Sequence, residues 1–512
     1  MIFFRPIRFC VVVSLLRRSN SAVISLSIAG ILCACVPCYA QVRGSGLLSD
    51  PPEARSPITL SAVSDPKTGK SSFSFNGVED PPVIRVSPGG TLSVTYDNKM
   101  SAKSSEQCIY GLCMNMTNLH FHGLHVSPDS PQDDVITMLA MPGQTLHYAV
   151  EVPADQPPGL YWYHTHPHGE SYQQSLDGMS GAIVIEGIER YAPEVRGMKE
   201  RILILRDEVL HKEDVAGTSA LVKRLAVPSG RCGSAVEQQI ERVFTVNGTI
   251  RPQIPIAPGE RQFWRIVNAS PDLYADLQVD SERLVIIAMD GMPLSFHDPK
   301  RHSELADHIL LPPAGRVEAI VTGPKAGASA SLRTRCFDTG ADGDPNPEMA
   351  IADLVDQPHS APRPAHVSAT TQPPVYKPFS KKTSKEIERK APQFVVVFTE
   401  DDHGFYINGK KYGPADDPMT TVDIGSYEHW RVVNNTKEVH PFHIHQVHFL
   451  AYAENNVNVG TPPWLDTVNI APGGSMDLIM DFTDPVIRGM SVFHCHLLKH
   501  EDKGMMAKIL FR

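Results

Sequence analysis

A short stretch near the end of the chain carries three kinds of metal ligand side by side. Residues 493–506 read FHCHLLKHEDKGMM, and the ligand side chains in them are His494, Cys495, His496, His500 and Met505. Side chains alternate between the two faces of an extended strand, so His494 and His496 would point one way and Cys495 the other. A thiolate, two imidazoles and a weak thioether form the ligand set of a blue electron-transfer copper. The stretch therefore predicts two metal sites that share one strand.

Paired histidines of the form H-x-H recur far from this stretch. On a strand, residues i and i+2 share a face and can reach one metal ion or two adjacent ions. The pairs are His120 with His122, His164 with His166, His443 with His445, and His494 with His496. Eight imidazoles are more than a single tetrahedral zinc ion can bind. The pairs thus predict a cluster of metal ions, and His440, which belongs to no pair, can supply the second imidazole of the cysteine site.

The elements that position these residues are indicated by a phrase that occurs three times. The phrase is F-x-x-N-G, in which the Asn-Gly pair favours a hairpin turn after a short strand. Each copy precedes a segment that alternates apolar and polar residues around a turn, as strands of a half-exposed antiparallel sheet do. The phrases span 73–77, 244–248 and 405–409, and the segments span 83–98, 253–270 and 419–436. Three copies in step predict three copies of one β domain, and no long helix is evident, so the predicted fold class is all-β.

The predicted domain boundaries follow from the spacing of these three repeats. A chain of 512 residues is too long for one core. We predict an export signal peptide at 1–40, a first domain at 41–190, a second at 195–356, a Pro-rich linker at 357–392 and a third domain at 393–512. The second domain has no H-x-H pair and is predicted to hold no metal ligand.

The leader indicates export to the periplasm or the cell exterior. The first forty residues carry four arginines, no acid and an apolar run that ends at Ala40. Arg17-Arg18 leaves twin-arginine export open beside ordinary secretion, and residues 32–35 resemble a lipoprotein cleavage box, although the cut at Ala40 fits better. Cleavage would take the net charge from -10 to -14, which argues against nucleic acid as a partner. No later run reaches the roughly 18 apolar residues of a membrane span.

Cysteine usage separates one thiol from the others. Five cysteines follow the leader: Cys108, Cys113, Cys232, Cys336 and Cys495. In an oxidising compartment the first four can pair in three ways, one of which joins Cys108 to Cys113 and Cys232 to Cys336. Cys495 is then the odd one out. A buried free thiol is the alternative, but the nearby histidines and methionine favour a metal ligand.

The four motifs resemble those of the multicopper oxidase family in its three-domain, bacterial laccase-like form. The family patterns H-x-H-G, H-x-H, H-P-x-H-x-H and H-C-H-x-x-x-H-x-x-x-x-M are matched at 120–123, 164–166, 440–445 and 494–505. The resemblance implies three cupredoxin-like domains, each a Greek-key β-sandwich or barrel. It also implies four copper ions, one of type 1, one of type 2 and two of type 3.

The resemblance also implies a role for each ligand. The type 1 copper would be held by His440, Cys495, His500 and axial Met505. The type 2 copper would be held by His120 and His443, one type 3 copper by His122, His164 and His496, and the other by His166, His445 and His494. This trinuclear cluster would lie between the first and third domains.

The implied activity couples four one-electron oxidations at the type 1 copper to the four-electron reduction of O2 to water. Phenols and aromatic amines are the first choice of reductant, and cuprous or ferrous ions are the alternative. Copper nitrite reductases usually have two such domains, and a non-enzymatic scaffold would be expected to have lost ligands, so both fit less well. We expect a monomer.

Three carboxylates are candidates for proton transfer. Glu501 resembles the glutamate that assists proton delivery in spore-coat laccases. Asp133 resembles a family acid that orients water near the type 2 copper, and Asp134 is an equal candidate. A solvated loop carboxylate is the alternative for each. His125 and His168 lie beside the first two motifs, and the sequence gives them no role.

Overall fold

The structure is a computed structural model, and parts of the chain lie outside its described residues. It describes residues 43–44, 46–102, 115–209, 242–344, 346–356, 374–377 and 379–512. The export signal and Cys108, Cys113 and Cys232 lie outside these ranges, so export and disulfide pairing stay predictions. Cys336 is disulfide-bonded, and Cys495 is free and buried. Among the described residues, no helix is long and apolar enough to cross a membrane.

The first domain is a pair of packed sheets. Its strands are β1 Arg43–Gly44, β2 Glu53–Arg55, β3 Ile58–Ser64, β4 Ser71–Phe75, β5 Val83–Val86, β6 Thr91–Asn98, β7 His120–His122, β8 Thr145–Glu151, β9 Gly159–His164 and β10 Ser180–Ile185. The sheets have the orders β2-β5-β10-β9-β7 and β4-β3-β6-β8. Side chains of both sheets, such as Tyr96 and Phe121, share one core. Strand β1 pairs instead with the second domain.

The second domain repeats this arrangement. Its strands are β11 Lys199–Val209, β12 Arg242–Val246, β13 Thr249–Ile250, β14 Gln253–Pro255, β15 Arg261–Asn268, β16 Ala275–Val279, β17 Leu284–Met289, β18 Met292–Pro293, β19 Glu304–Ala306, β20 Ile309–Leu311, β21 Arg316–Thr322, β22 Ala330–Arg335 and β23 Met349–Val355. One sheet has the order β1-β13-β12-β11-β15-β21-β17-β18, with β19 on β17, and the other β14-β23-β22-β16-β20. Trp264 lies in the core between them.

The third domain carries the C-terminal motifs. Its strands are β24 Phe394–Asp401, β25 Gly404–Ile407, β26 Thr420–Val422, β27 Ser426–Asn434, β28 His440–Ile444, β29 Phe449–Glu454, β30 Val457–Asn458, β31 Trp464–Leu465, β32 Thr467–Ile470, β33 Ser475–Phe482, β34 Gly489–Cys495 and β35 Met506–Phe511. The sheets have the orders β25-β24-β27-β33-β29-β30, with β31 on β29, and β26-β35-β34-β28-β32. Their shared core includes Trp430, Cys495 and Met505.

Helices are short and few in the described part of the chain. They are α1 Ser171–Leu176, α2 Lys381–Glu388 and α3 Leu498–Asp502, with 3-10 turns at Ile188–Arg190, Pro193–Val195 and Pro485–Ile487. Helix α2 lies within the predicted linker and begins after Ser380, whose side chain accepts a hydrogen bond from the N–H of Thr383. Helix α3 follows the end of β34 and carries two candidate functional residues. The all-β prediction with three cupredoxin-like domains is confirmed, and the exact domain boundaries stay predictions.

The three N-G turns form as predicted. A two-residue turn of this type needs positive φ at both central residues. The φ values are 52° and 79° at Asn76-Gly77, 50° and 75° at Asn247-Gly248, and 50° and 72° at Asn408-Gly409. The antiparallel prediction is only partly right, because β6, β15 and β27 are each antiparallel to one neighbour and parallel to the other. An alternating pattern indicates which face is buried and carries no information about the direction of the neighbouring strand.

Candidate metal centres

Two antiparallel strand pairs bring the four histidine motifs together. In the first domain β7 pairs with β9, and His120 lies opposite His164. In the third domain β28 pairs with β34, and His443 lies opposite His494. Each pair ends where its domain contacts the other, so motifs more than 300 residues apart in the chain become neighbours.

The eight histidines of the H-x-H pairs form one buried cluster. The ring of His120 stacks on that of His445 with centroids 3.8 Å apart, and the ring of His122 stacks on that of His443 at 3.9 Å. The Nε2 atom of His494 lies 3.2 Å from Nε2 of His445 and 3.3 Å from Nε2 of His166. All eight side chains are buried. Both domains therefore contribute imidazoles to one site.

The nitrogen atoms of this cluster fit bound metal ions. Seven buried ring nitrogens make no hydrogen bond within the described ranges: His120 Nε2, His122 Nδ1, His164 Nε2, His443 Nε2, His445 Nδ1 and both nitrogens of His496. A buried polar atom without a partner is costly, so such a concentration calls for a ligand. Burial lowers the pKa of all eight histidines. The rings are therefore neutral, which is the form that binds metal ions such as copper.

Hydrogen bonds from the opposite ring nitrogens hold several of these imidazoles in place. A ligand histidine usually donates its other N–H to a carbonyl or carboxylate, which fixes the tautomer and the ring direction. The acceptors are Asp133 for His120 Nδ1 at 3.0 Å, Asp466 Oδ1 for His122 Nε2 at 3.2 Å, the Thr165 carbonyl for His164 Nδ1 at 2.9 Å, the Asp466 carbonyl for His443 Nδ1 at 2.8 Å and the Cys495 carbonyl for His494 Nδ1 at 2.9 Å.

Asp466 is held by an arginine of the second domain. Arg316, at the start of β21, donates from Nη1 to Asp466 Oδ1 at 2.8 Å and from Nη2 to Oδ2 at 2.6 Å. Both side chains are fully buried. Burial by itself raises the pKa of Asp466, but Arg316 outweighs it and holds the pKa below its usual value. The second domain thus supports the cluster although none of its described histidines belongs to it, and no motif around Arg316 or Asp466 indicates this in the sequence.

Cys495 faces the other way, into a second group of ligand atoms. Its Sγ atom lies 3.3 Å from Nδ1 of His440 and 3.9 Å from Nδ1 of His500, and these two nitrogens are 3.3 Å apart. Met505 is fully buried in the same core. Burial raises the pKa of the Cys495 thiol well above its usual value. Because metal binding deprotonates a coordinating thiol, this group has the donors that a blue copper needs.

His500 lies on the route from this group to the surface. Its side chain is 8% exposed, whereas that of His440 is fully buried. The Nε2 atom of His500 lies 3.3 Å from Oε1 of Glu438, and Phe405 stacks on its ring at 3.9 Å. The outer nitrogen of His440 is paired with Thr436 Oγ1 at 2.9 Å. No motif in the sequence marks Glu438, although it lies only two residues before His440.

Glu501 reaches the histidine cluster from helix α3. Its Oε1 atom lies 3.6 Å from Nδ1 of His166 and accepts a hydrogen bond from Ser171 Oγ at 3.1 Å. Its Oε2 atom lies 3.6 Å from Nδ1 of His494. Burial raises the pKa of Glu501 well above its usual value.

The two neighbouring aspartates have different surroundings. Asp133 contacts His120 and accepts hydrogen bonds from the N–H of Phe121 and from Gln446 Nε2, at 2.9 and 2.7 Å. Burial raises its pKa to about 8. Asp134 accepts instead from the N–H groups of Ile136 and Thr137 in its own loop. Of the two candidates, Asp133 is the one that touches a cluster histidine.

Histidines outside the motifs have other partners. His302 is hydrogen-bonded to the Tyr191 carbonyl, and His308 is hydrogen-bonded to Asp276. Neither of these partners belongs to the histidine cluster or to the cysteine group. The ring of His168 meets the edge of Tyr412 at 4.7 Å. His125 contacts His448, with Nε2 and Nδ1 only 2.6 Å apart.

Comparison with known proteins identifies relatives named as multicopper oxidases and laccases. Two family models, both described as multicopper oxidase, match residues 59–190 and 376–512, together more than half of the chain. The multicopper oxidase mco of Staphylococcus aureus is 24% identical over 429 residues, which cover 82% of each chain. The laccase of Bacillus subtilis is 24% identical over 388 residues, 71% of this chain and 72% of that protein.

A solved structure agrees in fold. The multicopper oxidase of Campylobacter jejuni, described as a metallo-oxidase, superposes with a TM-score of 0.68 at 22% identity. The match covers 92% of this chain and 95% of that one. At this identity the likeness shows the fold alone.

Proposed function

Because this chain belongs to the multicopper oxidase family, whose members are copper-dependent oxidoreductases that use O2, we propose that it couples oxidation of a small reductant beside His500 to reduction of O2 at the eight-histidine cluster. One observation carries the proposal. Strand β34 ends in His494 and Cys495, whose side chains enter the histidine cluster and the cysteine group respectively. One backbone segment therefore joins an electron-entry site to a site with many imidazoles.

Twelve side chains would hold the copper ions. In this proposal His440, Cys495, His500 and Met505 hold the type 1 ion. The type 2 ion is held by His120 and His443, one type 3 ion by His122, His164 and His496, and the other by His166, His445 and His494. When bound, the four ions would supply one-electron oxidation at the cysteine group and four-electron reduction of O2 to water at the cluster.

Residues of the chain itself would carry electrons between the two sites and hold a proton beside the histidine cluster. Cys495 is covalently adjacent to His494 and His496, so the path between the sites is entirely through bonds. Glu501 is positioned to hold a proton within 3.6 Å of two cluster histidines. Asp133 accepts the ring N–H of His120 and so fixes its tautomer.

Phenols and aromatic amines are the first candidate reductants. Loss of an electron makes a phenol strongly acidic, so its oxidation needs a nearby proton acceptor. Glu438 lies 3.3 Å from the outer nitrogen of His500, and its partner Glu400 is the carboxylate that can accept the proton. Burial raises the pKa of Glu400, but hydrogen bonds with His440 and Glu438 outweigh it and hold the pKa below its usual value. The Bacillus subtilis laccase among the relatives is consistent with this choice.

A metal ion is the second candidate, favoured by the charge around Glu438. Burial, then Glu400, Asp344 and Asp272, raise the pKa of Glu438 to about 9. A cation bound beside His500 would offset the electrostatic repulsion among these carboxylates. Carboxylate oxygens suit a hard ion, which favours ferrous over cuprous ion.

Parallel assays separate the candidates. The copper-loaded protein is given a phenol, an aromatic amine, cuprous ion and ferrous ion, and O2 uptake is recorded. If a metal ion is the reductant, Glu438→Gln should raise KM for ferrous ion at least about tenfold and leave phenol turnover unchanged. Asp342→Asn, at an exposed carboxylate of the second domain, is the control. Absence of O2 uptake with all four reductants would refute the oxidase proposal.

We extend the proposal to location and assembly. The charged and apolar leader at 1–40 supports export to the periplasm or the cell exterior, with Gln41 as the first mature residue. We propose that the exported protein acts as a monomer.

A further inference from the structure

A small cavity of about 20 Å³ lies where the three domains meet. It adjoins the histidine cluster, since its lining residue Gln446 donates to Asp133, the partner of His120. Its lining includes His125 of the first domain, His297 of the second, Lys377 of the segment before α2, and Asp481 and Asp484 of the third. Neither histidine belongs to an H-x-H pair, and the proposed oxidase uses neither. We call this the three-domain cavity.

The hydrogen bonds of His125 determine which of its nitrogens carries a lone pair. The Nε2 atom of His448 lies 2.8 Å from the carbonyl oxygen of Asp290, which can only accept, so this nitrogen must donate. In a neutral ring the Nδ1 atom of His448 is then an acceptor, and His125 Nε2, 2.6 Å away, must donate to it. The Nδ1 atom of His125 is left with its lone pair, and no described residue donates to it.

The same reasoning applies to His297. Its Nδ1 atom lies 2.5 Å from the carbonyl oxygen of Lys377 and must donate to it, which leaves the lone pair on Nε2. Burial lowers the pKa of His297 to about 4 and that of His125 well below its usual value, so both rings are neutral near pH 7. An imidazole whose far N–H is held by a protein acceptor is the arrangement found in metal-ligating histidines.

The charges in the cavity favour a cation. Three carboxylates, those of Asp155, Asp481 and Asp484, face a single ammonium group. The Nζ atom of Lys377 lies 2.6 Å from Asp155 and 3.9 Å from Asp484. Asp481 forms no ion pair in the described ranges, and burial raises its pKa. A raised pKa is the response expected of a buried carboxylate that lacks a cation.

We propose that the three-domain cavity binds a divalent first-row transition metal ion through Nδ1 of His125, Nε2 of His297 and the carboxylate of Asp481. Two imidazoles and a carboxylate are a donor set that zinc and ferrous ions accept. Each of the three ligands comes from a different domain, so the ion would fasten the domains to one another. This proposal does not depend on the proposed function.

Zinc binding to the copper-loaded protein tests the site, because copper ions would already occupy the histidines of the two proposed copper centres. We expect about one zinc ion per chain to remain after gel filtration and the midpoint of thermal unfolding to rise with zinc concentration. Cobalt in place of zinc should give the visible spectrum of a low-symmetry site with nitrogen and oxygen ligands. His125→Ala and His297→Ala should each weaken zinc binding by at least about tenfold. His302→Ala, an exposed histidine of the second domain, should not change it.

The outcomes separate this site from the oxidase. Wild-type protein that retains no zinc, or variants at His125 and His297 that retain it as tightly as the wild type, would overturn the proposal. Should either alanine variant lack the blue absorption that reports a folded third domain, Asp481→Asn preserves the volume and should lose zinc in the same assay. O2 uptake without zinc binding would contradict this site alone, and zinc binding without O2 uptake would contradict the oxidase alone.

Discussion

Cys495 is the residue at which the two proposed metal centres meet. Alternation along β34 directs its thiol into the core with His440 and His500, while His494 faces the first domain. As a free thiol it would be a protonated group of the core, since burial raises its pKa. Two imidazole nitrogens within 4 Å of its sulfur are the arrangement that the proposed copper ion needs.

Replacing Cys495 by serine should therefore remove one centre and leave the other. We expect Cys495→Ser to lose the intense blue absorption, one copper ion per chain and more than about 99% of turnover, because a neutral hydroxyl cannot replace the thiolate. Visible absorption, metal content and O2 uptake measure these changes. Met506→Leu, a volume-conserving change in the adjoining core, should keep all three. Retained turnover in the serine variant would contradict the electron route through this residue.

At the scale of elements, a strand of the second domain supports the histidine cluster, to which none of the described histidines of that domain belongs. Arg316 on β21 and Asp466 between β31 and β32 form a buried pair beside His122. This pair also accounts for the glycine of the H-x-H-G motif. A Cβ atom at Gly123 would lie 2.5 Å from Nη2 of Arg316 and 2.6 Å from Oδ2 of Asp466. The φ of Gly123 is +84°, a conformation that side chains rarely adopt.

Removing the arginine should loosen the histidine cluster specifically. Arg316→Met leaves the Asp466 charge buried and unpaired, and breaking a buried pair in this way costs roughly 3–5 kcal/mol in the free energy of unfolding. We expect a lower midpoint of unfolding and fewer copper ions in the cluster, while the blue absorption of the cysteine group stays. Arg333→Met, in a partly exposed ion pair on β22, should have a much smaller effect. Full copper content and an unchanged unfolding midpoint would show that Arg316 does not position His122.

At the scale of the whole molecule, the sequence predicts what depends on neighbours in the chain. An H-x-H pair shares a face on any strand, and an Asn-Gly turn needs only its own two residues, so both could be recognised directly. The roles of Arg316 and Glu438 could not be recognised from the sequence, because both residues act through contacts that exist only after folding. Helix α2 was missed for another reason. Composition alone indicated a linker there, although Ser380 is a favourable N-cap.

The contact between the first and second domains contains a buried cluster of charges. Glu200 on β11 pairs with Arg85 on β5 and with Arg265 on β15, the latter at 2.6 Å. Burial raises the pKa of Glu200, but the two arginines outweigh it and hold the pKa below the usual 4.5. Its ionised form is therefore more stable in the folded protein than in the unfolded chain. The resulting stability is present above pH 4.5 and is lost as the pH falls through the folded pKa.

Glu200→Gln should consequently destabilise the protein in a pH-dependent way. Near pH 7 the variant leaves two buried arginines short of a partner, and we expect a loss of roughly 3–5 kcal/mol in the free energy of unfolding. As the pH falls below 4.5 and through the lowered pKa of the folded state, the wild-type glutamate becomes protonated and the stability difference between wild type and variant shrinks, so the two unfolding curves should converge. Glu208→Gln, on the same strand in an exposed pair with Lys70, should differ little from wild type at any pH. Thermal unfolding followed by circular dichroism across this range gives the difference, and a constant gap between Glu200→Gln and wild type would mean that the charge of Glu200 does not hold the two domains together.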